Sequence, residues 1–512
     1  MTMGGENHLY SRLLGSADPS RIFAEVPGES VRRMRYGDLA ALAGRLANVL
    51  TARGVKPGDR VAVQADKSLE MIALYLATVR AGAIFLPLNT GYTPAEIEYF
   101  LTDAEPALFV VDPAREAALA PLATRVGAGI ATMGAMVAGT ATGTLMDEAA
   151  AAPEDFATVP RTADDLAAIL YTSGTTGRSK GAMLSHDNLW SNSETLCDLW
   201  RFTAEDRLIH ALPIFHTHGL FVATNITLAA GGALIFLPRF DADAILSAMP
   251  DATALMGVPT FYTRLLDHPG LTREAAAGMR LFVSGSAPLL AETHTRWQAQ
   301  TGHAILERYG MTETNMNTSN PYEGERRPGT VGFPLPGVAL KVCSETGAEL
   351  PDGEIGTLEV RGPNVFQGYW RMPDKTAEEL RADGFFITGD LGVVDADGYV
   401  SIVGRGKDLI ISGGFNVYPK EVEGLIDEID GVVESAVIGL PHPDFGEGVA
   451  AVVVPAREGL TQADIVAPLS DKLARYKQPV RVFFVDELPR NTMGKVQKAA
   501  LRKTYAATFE KA

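Results

Sequence analysis

Leu166-Ala-Ala-Ile-Leu-Tyr-Thr-Ser-Gly-Thr-Thr-Gly-Arg-Ser-Lys-Gly181 is an apolar run that turns into a loop of three glycines, five serines and threonines, and two cations. A strand feeding a loop of that composition offers free backbone N–H groups, hydroxyl donors and positive charge to a polyphosphate. A solvated Gly/Ser/Thr turn is the plain alternative. The spacing departs from the Walker pattern, because the fifth residue after Gly174 is Ser179 where that pattern requires glycine. The stretch therefore reads as a phosphate loop of another kind.

On its N-terminal side, helical and strand patterns alternate. Tyr36–Arg53, Leu69–Arg80 and Pro94–Thr102 read as helices, with Arg60–Gln64, Phe85–Leu88 and Leu108–Val111 as strands. The rhythm returns downstream at Leu208–Leu212, Leu255–Val258 and Leu281–Ser284. Such alternation predicts an α/β fold with mostly parallel sheets. From about Gly332 the texture changes to short strands separated by Gly, Pro and Asp turns, a β-rich subdomain. After Lys407 a compact βαβ-like segment follows: helix Pro419–Glu428, strands Val433–Gly439 and Val449–Val454, helix Gln462–Leu473. Val126–Thr144, rich in Ala, Gly and Thr, reads as a loose surface connection. Thr217–Pro238 is nearly free of charge, but polar residues and Gly231-Gly232 interrupt it, so a buried helix, a turn and a core strand are expected rather than a membrane span.

A chain of 512 residues exceeds one ordinary core, so a large and a smaller domain are expected. A net charge of −17 argues against nucleic acid as partner. Residues 471–512 run the other way, with ten Lys/Arg against four acids, a solvated basic face or one that meets an anionic ligand. Cys197 and Cys343 are far apart and lack CxxC spacing, which disfavours a disulfide scaffold or zinc site and fits a reducing cytoplasm. The first residues show no basic and apolar leader, so a soluble protein without a membrane partner is expected.

Four further segments accompany the loop: Glu307-Arg-Tyr-Gly-Met-Thr-Glu-Thr314, Thr388-Gly-Asp390, Gly404-Arg-Gly-Lys-Asp-Leu-Ile-Ile-Ser-Gly-Gly-Phe-Asn-Val-Tyr-Pro-Lys-Glu-Val-Glu423 and Pro489-Arg-Asn-Thr-Met-Gly-Lys495. Together they resemble the acyl-adenylate-forming superfamily of acyl-CoA synthetases, luciferases and peptide-synthetase adenylation domains. The resemblance implies a large N-terminal domain over residues 1–404, a hinge at 405–407 and a small mobile α+β domain over 408–512. It implies ATP, Mg²⁺ and coenzyme A as cofactors. Thr172, Ser173, Gly174, Thr175, Thr176, Gly177 and Lys180 would meet the phosphates, and Ser284, Ala287, Pro288 and Tyr309 the adenine. Asp390 would accept the ribose hydroxyls, with Arg405 on ribose and phosphate. Thr312 would contact the α-phosphate and Glu313 would hold Mg²⁺, a hard cation that offsets charge gathered at one phosphorus. Lys495 would bind the carboxylate and the departing phosphate oxygens, Lys407 would be the hinge residue, and Gly413 and Gly414 would let the backbone crowd a pantetheine arm. The resemblance also brings a lysine acetyltransferase into view as a partner acting on Lys495.

Pro213-Ile-Phe-His216 is similar to the family's acid-pocket histidine segment and Ser284-Gly-Ser-Ala-Pro288 to the segment that borders adenine, and His216 and Ser286 are expected as substrate residues on walls neighbouring Arg308. A metal pair of His216 and His218 lacks a third ligand at useful spacing. Arg308 is an expensive residue to bury beside an alkyl chain unless a carboxylate meets it, and its fork suits a short dicarboxylic acid. Pairing of Arg308 with Glu307 is the alternative. The wider stretches around Arg308, Met256–Tyr262 and Leu86–Thr90 resemble malonyl-CoA synthetases, which implies malonate or methylmalonate with ATP and CoA as substrates. An acyl-CoA ligase for a medium-chain or aromatic monocarboxylic acid is the runner-up, and a non-catalytic nucleotide-binding homologue the third reading.

Overall fold

The computed structural model describes residues 6–15, 17–28, 31–137, 140–172, 179–412, 415–442, 445–470, 472–473, 475–491 and 494–509. Two mostly parallel sheets form the body of the large domain. The larger has nine strands, in the order Phe333–Pro334, Asn315–Ser319, Leu306–Met311, Leu281–Ser284, Ala254–Gly257, Arg207–His210, Ala233–Phe236, Ile22–Val26 and Arg32–Arg35. Its six inner strands from Leu306–Met311 to Ile22–Val26 are parallel, and antiparallel strands close both edges. The second sheet has six strands, Lys180–Ser185, Leu166–Thr172, Ile84–Pro87, Arg60–Gln64, Leu108–Val111 and Gly129–Thr132, parallel except at Lys180–Ser185.

Helix Leu69–Arg80 shows why this body holds together. Every residue from Leu69 to Val79 is buried, so the helix has no solvent face and belongs to the interior. The Ser68 hydroxyl caps it by accepting from the Met71 N–H. Tyr75 on this helix packs against Phe85 of one sheet and Phe221 beside the other, at 5.3 and 5.8 Å between ring centroids.

A four-stranded antiparallel sheet, Ala339–Cys343 to Val400–Arg405, is the β-rich part that the change of texture predicts. A single 3₁₀ turn, Gly406–Asp408, separates it from the C-terminal sheet, whose first strand is Ile410–Ser412. In that last sheet Val432–His442 and Gly446–Pro455 form an antiparallel hairpin, and the parallel partner of Gly446–Pro455 is Arg481–Phe484.

Two local readings need correction, and a third, the buried helix after Thr217, holds with one irregularity. Val126–Thr144 is no loose connection: Gly129–Thr132 pairs with Leu108–Val111, and Ala135–Val137 pairs with Thr140–Thr142. Small side chains there hide the alternation, although Ala131, Met133 and Ala141 are buried. The segment read as helix Gln462–Leu473 is α-helical only over Gln462–Val466 and then tightens to a 3₁₀ turn, Ala467–Leu469. Pro468 cannot donate to the helix ladder and its ring crowds the carbonyl four residues back. The buried helix after Thr217 starts as a π-helix, His218–Thr224, before continuing as Asn225–Ala230.

Candidate functional site

The carboxyl ends of the parallel strands meet the four-stranded sheet and the small domain in one cleft. Thr172 and Lys180 face each other across the antiparallel pair Leu166–Thr172 and Lys180–Ser185. Ser173, Gly174, Thr175, Thr176 and Gly177, which join them, lie outside the described residues. The Tyr99 hydroxyl donates to the Ser179 carbonyl at 2.7 Å and so anchors the far end of the loop.

The Lys180 ammonium donates to both oxygens of Glu379 at 3.0 Å and lies 4.0 Å from the centroid of the Tyr369 ring. The Tyr369 hydroxyl in turn lies 2.6 Å from Glu379 Oε2 and 3.0 Å from Glu313 Oε1. Sequence reading missed Tyr369 and Glu379; a Tyr and a Glu nine or more residues beyond any motif carry no signal of their own. Glu313 is 6% exposed, and burial raises its pKa against the pull of its own backbone N–H, Tyr369, Lys180 and Arg405. A carboxylate held in that way gains from a cation. Among the described residues no group of three or more His, Cys, Asp or Glu is arranged to hold a metal. Glu313 fits the sparse protein share of a Mg²⁺ site, in which one or two carboxylates act with phosphate oxygens and water.

Strand Leu306–Met311 places Tyr309 beside the ribose-side residues. The Tyr309 hydroxyl donates to Asp390 Oδ2 at 2.5 Å, and Arg405 Nε donates to Asp390 Oδ1 at 2.7 Å. Asp390 and Arg405 are register partners in neighbouring strands, so the sheet itself brings them together. Each carboxylate oxygen keeps a second acceptor position for a hydroxyl. Thr312 follows the strand, on the turn that also carries Glu313, and is partly buried.

Arg308 faces the other way. It is 3% exposed, yet among the described residues no carboxylate pairs with it, and its Nε and Nη2 are buried without a hydrogen-bond partner there. Burial pushes it down to about 9, which leaves it charged at neutral pH. The alternative pairing with Glu307 does not form. Glu307 takes the Leu289 N–H at 3.1 Å, and its carboxyl, pushed up to about 7 by burial, is drawn back first by the Lys420 ammonium of the small domain. Further unsatisfied polar atoms lie in this region: Nδ1 of His216, Nε2 of His218 and Oγ of Ser284. His218 Nδ1 lies 3.2 Å from the Ser286 hydroxyl, and Ser286 adopts a left-handed φ of 71°. Burial, with Lys495 and Arg308 adding to it, lowers His216 to about 3, so the ring is neutral. Ala287 is partly buried and Pro288 exposed on the same turn.

Lys495 comes from the small domain. Its pKa is lowered by burial in the cleft and by Arg405, while Asp390 and Glu313 work to raise it and Arg308 to lower it further. Lys495 therefore feels Arg405, Asp390, Glu313 and Arg308 together, although its surface is exposed, so the lowering comes from crowding by the protein rather than from enclosure. Lys407 is exposed on the turn between the sheets, next to Asp408, which Arg502 holds at 2.9 Å. Gly413 and Gly414 lie outside the described residues; Phe415 beside them is 58% exposed.

Comparison with known proteins places the chain in a family. Residues 17–370 match the AMP-binding enzyme family and residues 421–495 the AMP-binding enzyme C-terminal domain. The ATP-bound crystal structure of MatB from Rhodopseudomonas palustris is 62% identical over 98% of this chain and 100% of that one, with a TM-score of 0.96. Its apo form, at the same identity and coverage, gives 0.85. The malonate–CoA ligase of Arabidopsis thaliana is 34% identical over 97% of this chain and 90% of its own length. A feruloyl-CoA synthase of an Amycolatopsis species is 36% identical over 92% and 94%. The chain belongs to the AMP-binding enzyme family and is an ATP-dependent, AMP-forming acyl-CoA ligase.

The backbone of Gly285 lies against the Arg308 guanidinium, and a Cβ added there would overlap its central carbon. Gly285→Ala should therefore displace Arg308 while leaving the nucleotide side intact. The expected result is a rise in KM for the acid of about tenfold or more with little change in KM for ATP, measured by pyrophosphate release. Equal KM values for the acid in the two proteins would show that Arg308 does not need that space.

Proposed function

We propose that the acid is malonate, with methylmalonate tolerated, and that Arg308 binds its distal carboxylate. The observation that carries this reading is the buried guanidinium whose Nε and Nη2 lack an acceptor among the described residues. Unpaired buried donors are costly, and a bidentate carboxylate satisfies two at once. The malonate–CoA ligase of Arabidopsis supports the same reading. The feruloyl-CoA synthase relative keeps an aromatic acid in view, but an aryl group would leave the Arg308 donors unsatisfied. One added methyl changes pocket binding by only about 1 kcal/mol or a little more, so discrimination between malonate and methylmalonate is expected to be weak.

In the first half-reaction a carboxylate oxygen attacks the α-phosphorus of ATP, and the bond to pyrophosphate breaks. Lys495 is positioned to hold the acid's reacting carboxylate and the oxygens that leave. Thr312 serves the α-phosphate, Tyr309 the adenine, and Asp390 with Arg405 the ribose. Mg²⁺ on Glu313 supplies charge neutralisation when bound. In the second, the CoA thiol displaces AMP from the acyl-adenylate carbon, and the thiol proton leaves to solvent. The two steps need different groups at one carbon. Rotation of residues 408–512 about 405–407 would exchange them, withdrawing Lys495 and presenting the Gly413-Gly414 segment to pantetheine. The TM-scores of 0.96 and 0.85 against the ATP-bound and apo forms of one relative support two arrangements, with this chain near the first. Two unpaired cysteines support the cytoplasm as the place of work.

Two measurements test these roles. Lys495→Ala should abolish acyl-adenylate formation from ATP and still convert supplied malonyl-adenylate to thioester; parallel loss of both steps in a folded variant would contradict the division. Acetylation by a lysine acetyltransferase would remove the same charge. Arg308→Ala should lower kcat/KM for malonate by several kcal/mol, on the order of 3–5, as a charge loses its buried partner. Activity with acetate, propionate or butyrate should fall far less, and Arg308→Lys should restore malonate only in part. A malonate-to-monocarboxylate ratio unchanged from wild type would remove Arg308 from selection.

A further inference from the structure

Lys67 lies in the loop after strand Arg60–Gln64, and its ammonium has three acceptors. It reaches Nδ1 of His210 at 3.0 Å, the His210 carbonyl at 2.8 Å and the Leu237 carbonyl at 2.7 Å. The ring of Phe236 lies 4.4 Å away. Three protons on three acceptors exhaust the donor capacity of a lysine. Burial holds its pKa well below the usual lysine range. His210 ends strand Arg207–His210 and Leu237 follows strand Ala233–Phe236, so the side chain crosses from the six-stranded sheet to the nine-stranded one. The crossing is at the carboxyl ends of the strands, where an α/β sheet binds its ligand.

The network continues through the histidine. A carbonyl can only accept, so the Gly219 oxygen 2.9 Å from His210 Nε2 puts the ring proton there and leaves Nδ1 to accept from Lys67. Burial and the Lys67 charge both hold His210 in the neutral form that this requires. Nε2 lies 2.9 Å from the Gly219 carbonyl, and the Thr224 hydroxyl donates to the same oxygen at 2.9 Å. Gly219 is the second residue of the π-helix His218–Thr224. A Cβ on Gly219 would overlap the Pro213 carbonyl, so the helix start is seated on the segment that leads to His216. π-Turns are rare and need something to hold them. Here the carbonyl that receives two side-chain donors stands one residue from His218, the partner of Ser286.

We propose that Lys67 is a positioning residue for the acid pocket: through His210 it fixes the Gly219 carbonyl, and with it the π-turn that sets His218 against Ser286 beside Arg308. The proposal rests on the reading of that region as the acid pocket. It does not depend on which acid is bound. Nothing in the reaction requires Lys67 to touch a substrate.

The test has two arms. In the wild-type enzyme, ¹⁵N-edited imidazole spectra should show His210 as the Nε2–H tautomer with an accepting Nδ1. In Lys67→Met, KM for whichever acid the wild type prefers should rise about tenfold or more, with KM for ATP within about twofold of wild type. Lys67→Arg, which keeps donors for the same acceptors, should recover part of the loss. The proposal is overturned by an Nδ1–H tautomer in the wild type, a reading that needs no variant to fold. It is equally overturned if Lys67→Met raises the KM values for acid and ATP together, or raises neither. A wild type that ignores malonate but uses another acid would defeat the malonate assignment and leave this test in force.

Discussion

A guanidinium whose Nε and Nη2 are buried with no partner among the described residues is the constraint on which the proposed acid pocket is built. Arg308 occupies the interior face of strand Leu306–Met311, between Glu307 and Tyr309, and the strand's alternation sends its neighbours elsewhere. Glu307 turns to the Leu289 N–H and Tyr309 to Asp390. One strand thus turns two consecutive residues, Arg308 and Tyr309, to opposite sides, the proposed acid pocket and Asp390. Burying a charge in this way costs several kcal/mol unless a counter-charge arrives, which makes the bound acid part of the site's own electrostatics.

The rest of the pocket is consistent with that role. The π-turn, the left-handed Ser286 and the close approach of Gly285 are local departures from regular structure, all within reach of Arg308. Strained or irregular backbone of this kind persists only where its surroundings over-determine it. The Lys67–His210 network supplies some of that determination from the opposite sheet. Elsewhere in the cleft the same economy applies: Tyr369 joins Glu313 to Glu379, and Glu379 holds Lys180, so Glu313, the residue proposed to hold Mg²⁺, is linked to Lys180 through two side chains.

Much of this was legible in the sequence, for a physical reason. The Gly/Ser/Thr stretch after Thr172, the Tyr309–Glu313 turn and the segment ending at Lys495 are continuous in the chain, so a sequence displays each of them whole. The α/β alternation was equally local, and Arg60–Gln64, Leu69–Arg80 and Leu281–Ser284 were read with their observed bounds. What stayed hidden depends on residues that only folding brings together. Lys67 and His210 are 143 positions apart, and Lys180 and Glu379 are 199 apart; neither pair has a spacing that a sequence could advertise. Val126–Thr144 failed for a different reason, since Ala, Gly and Thr pack as strands without contrasting polarity. Even the tension between Arg308 and Glu307 could be posed from sequence, but only the strand's facing resolves it.

The account's central claim is that a carboxylate completes the buried charge of Arg308. Pyrophosphate release measured in parallel over acetate, malonate, methylmalonate, succinate, octanoate and benzoate tests it most directly. The predicted result is highest kcat/KM with malonate, methylmalonate next, and monocarboxylates far below. Turnover of octanoate or benzoate at or above the rate with malonate would contradict it, since neither acid carries a second carboxylate for the guanidinium.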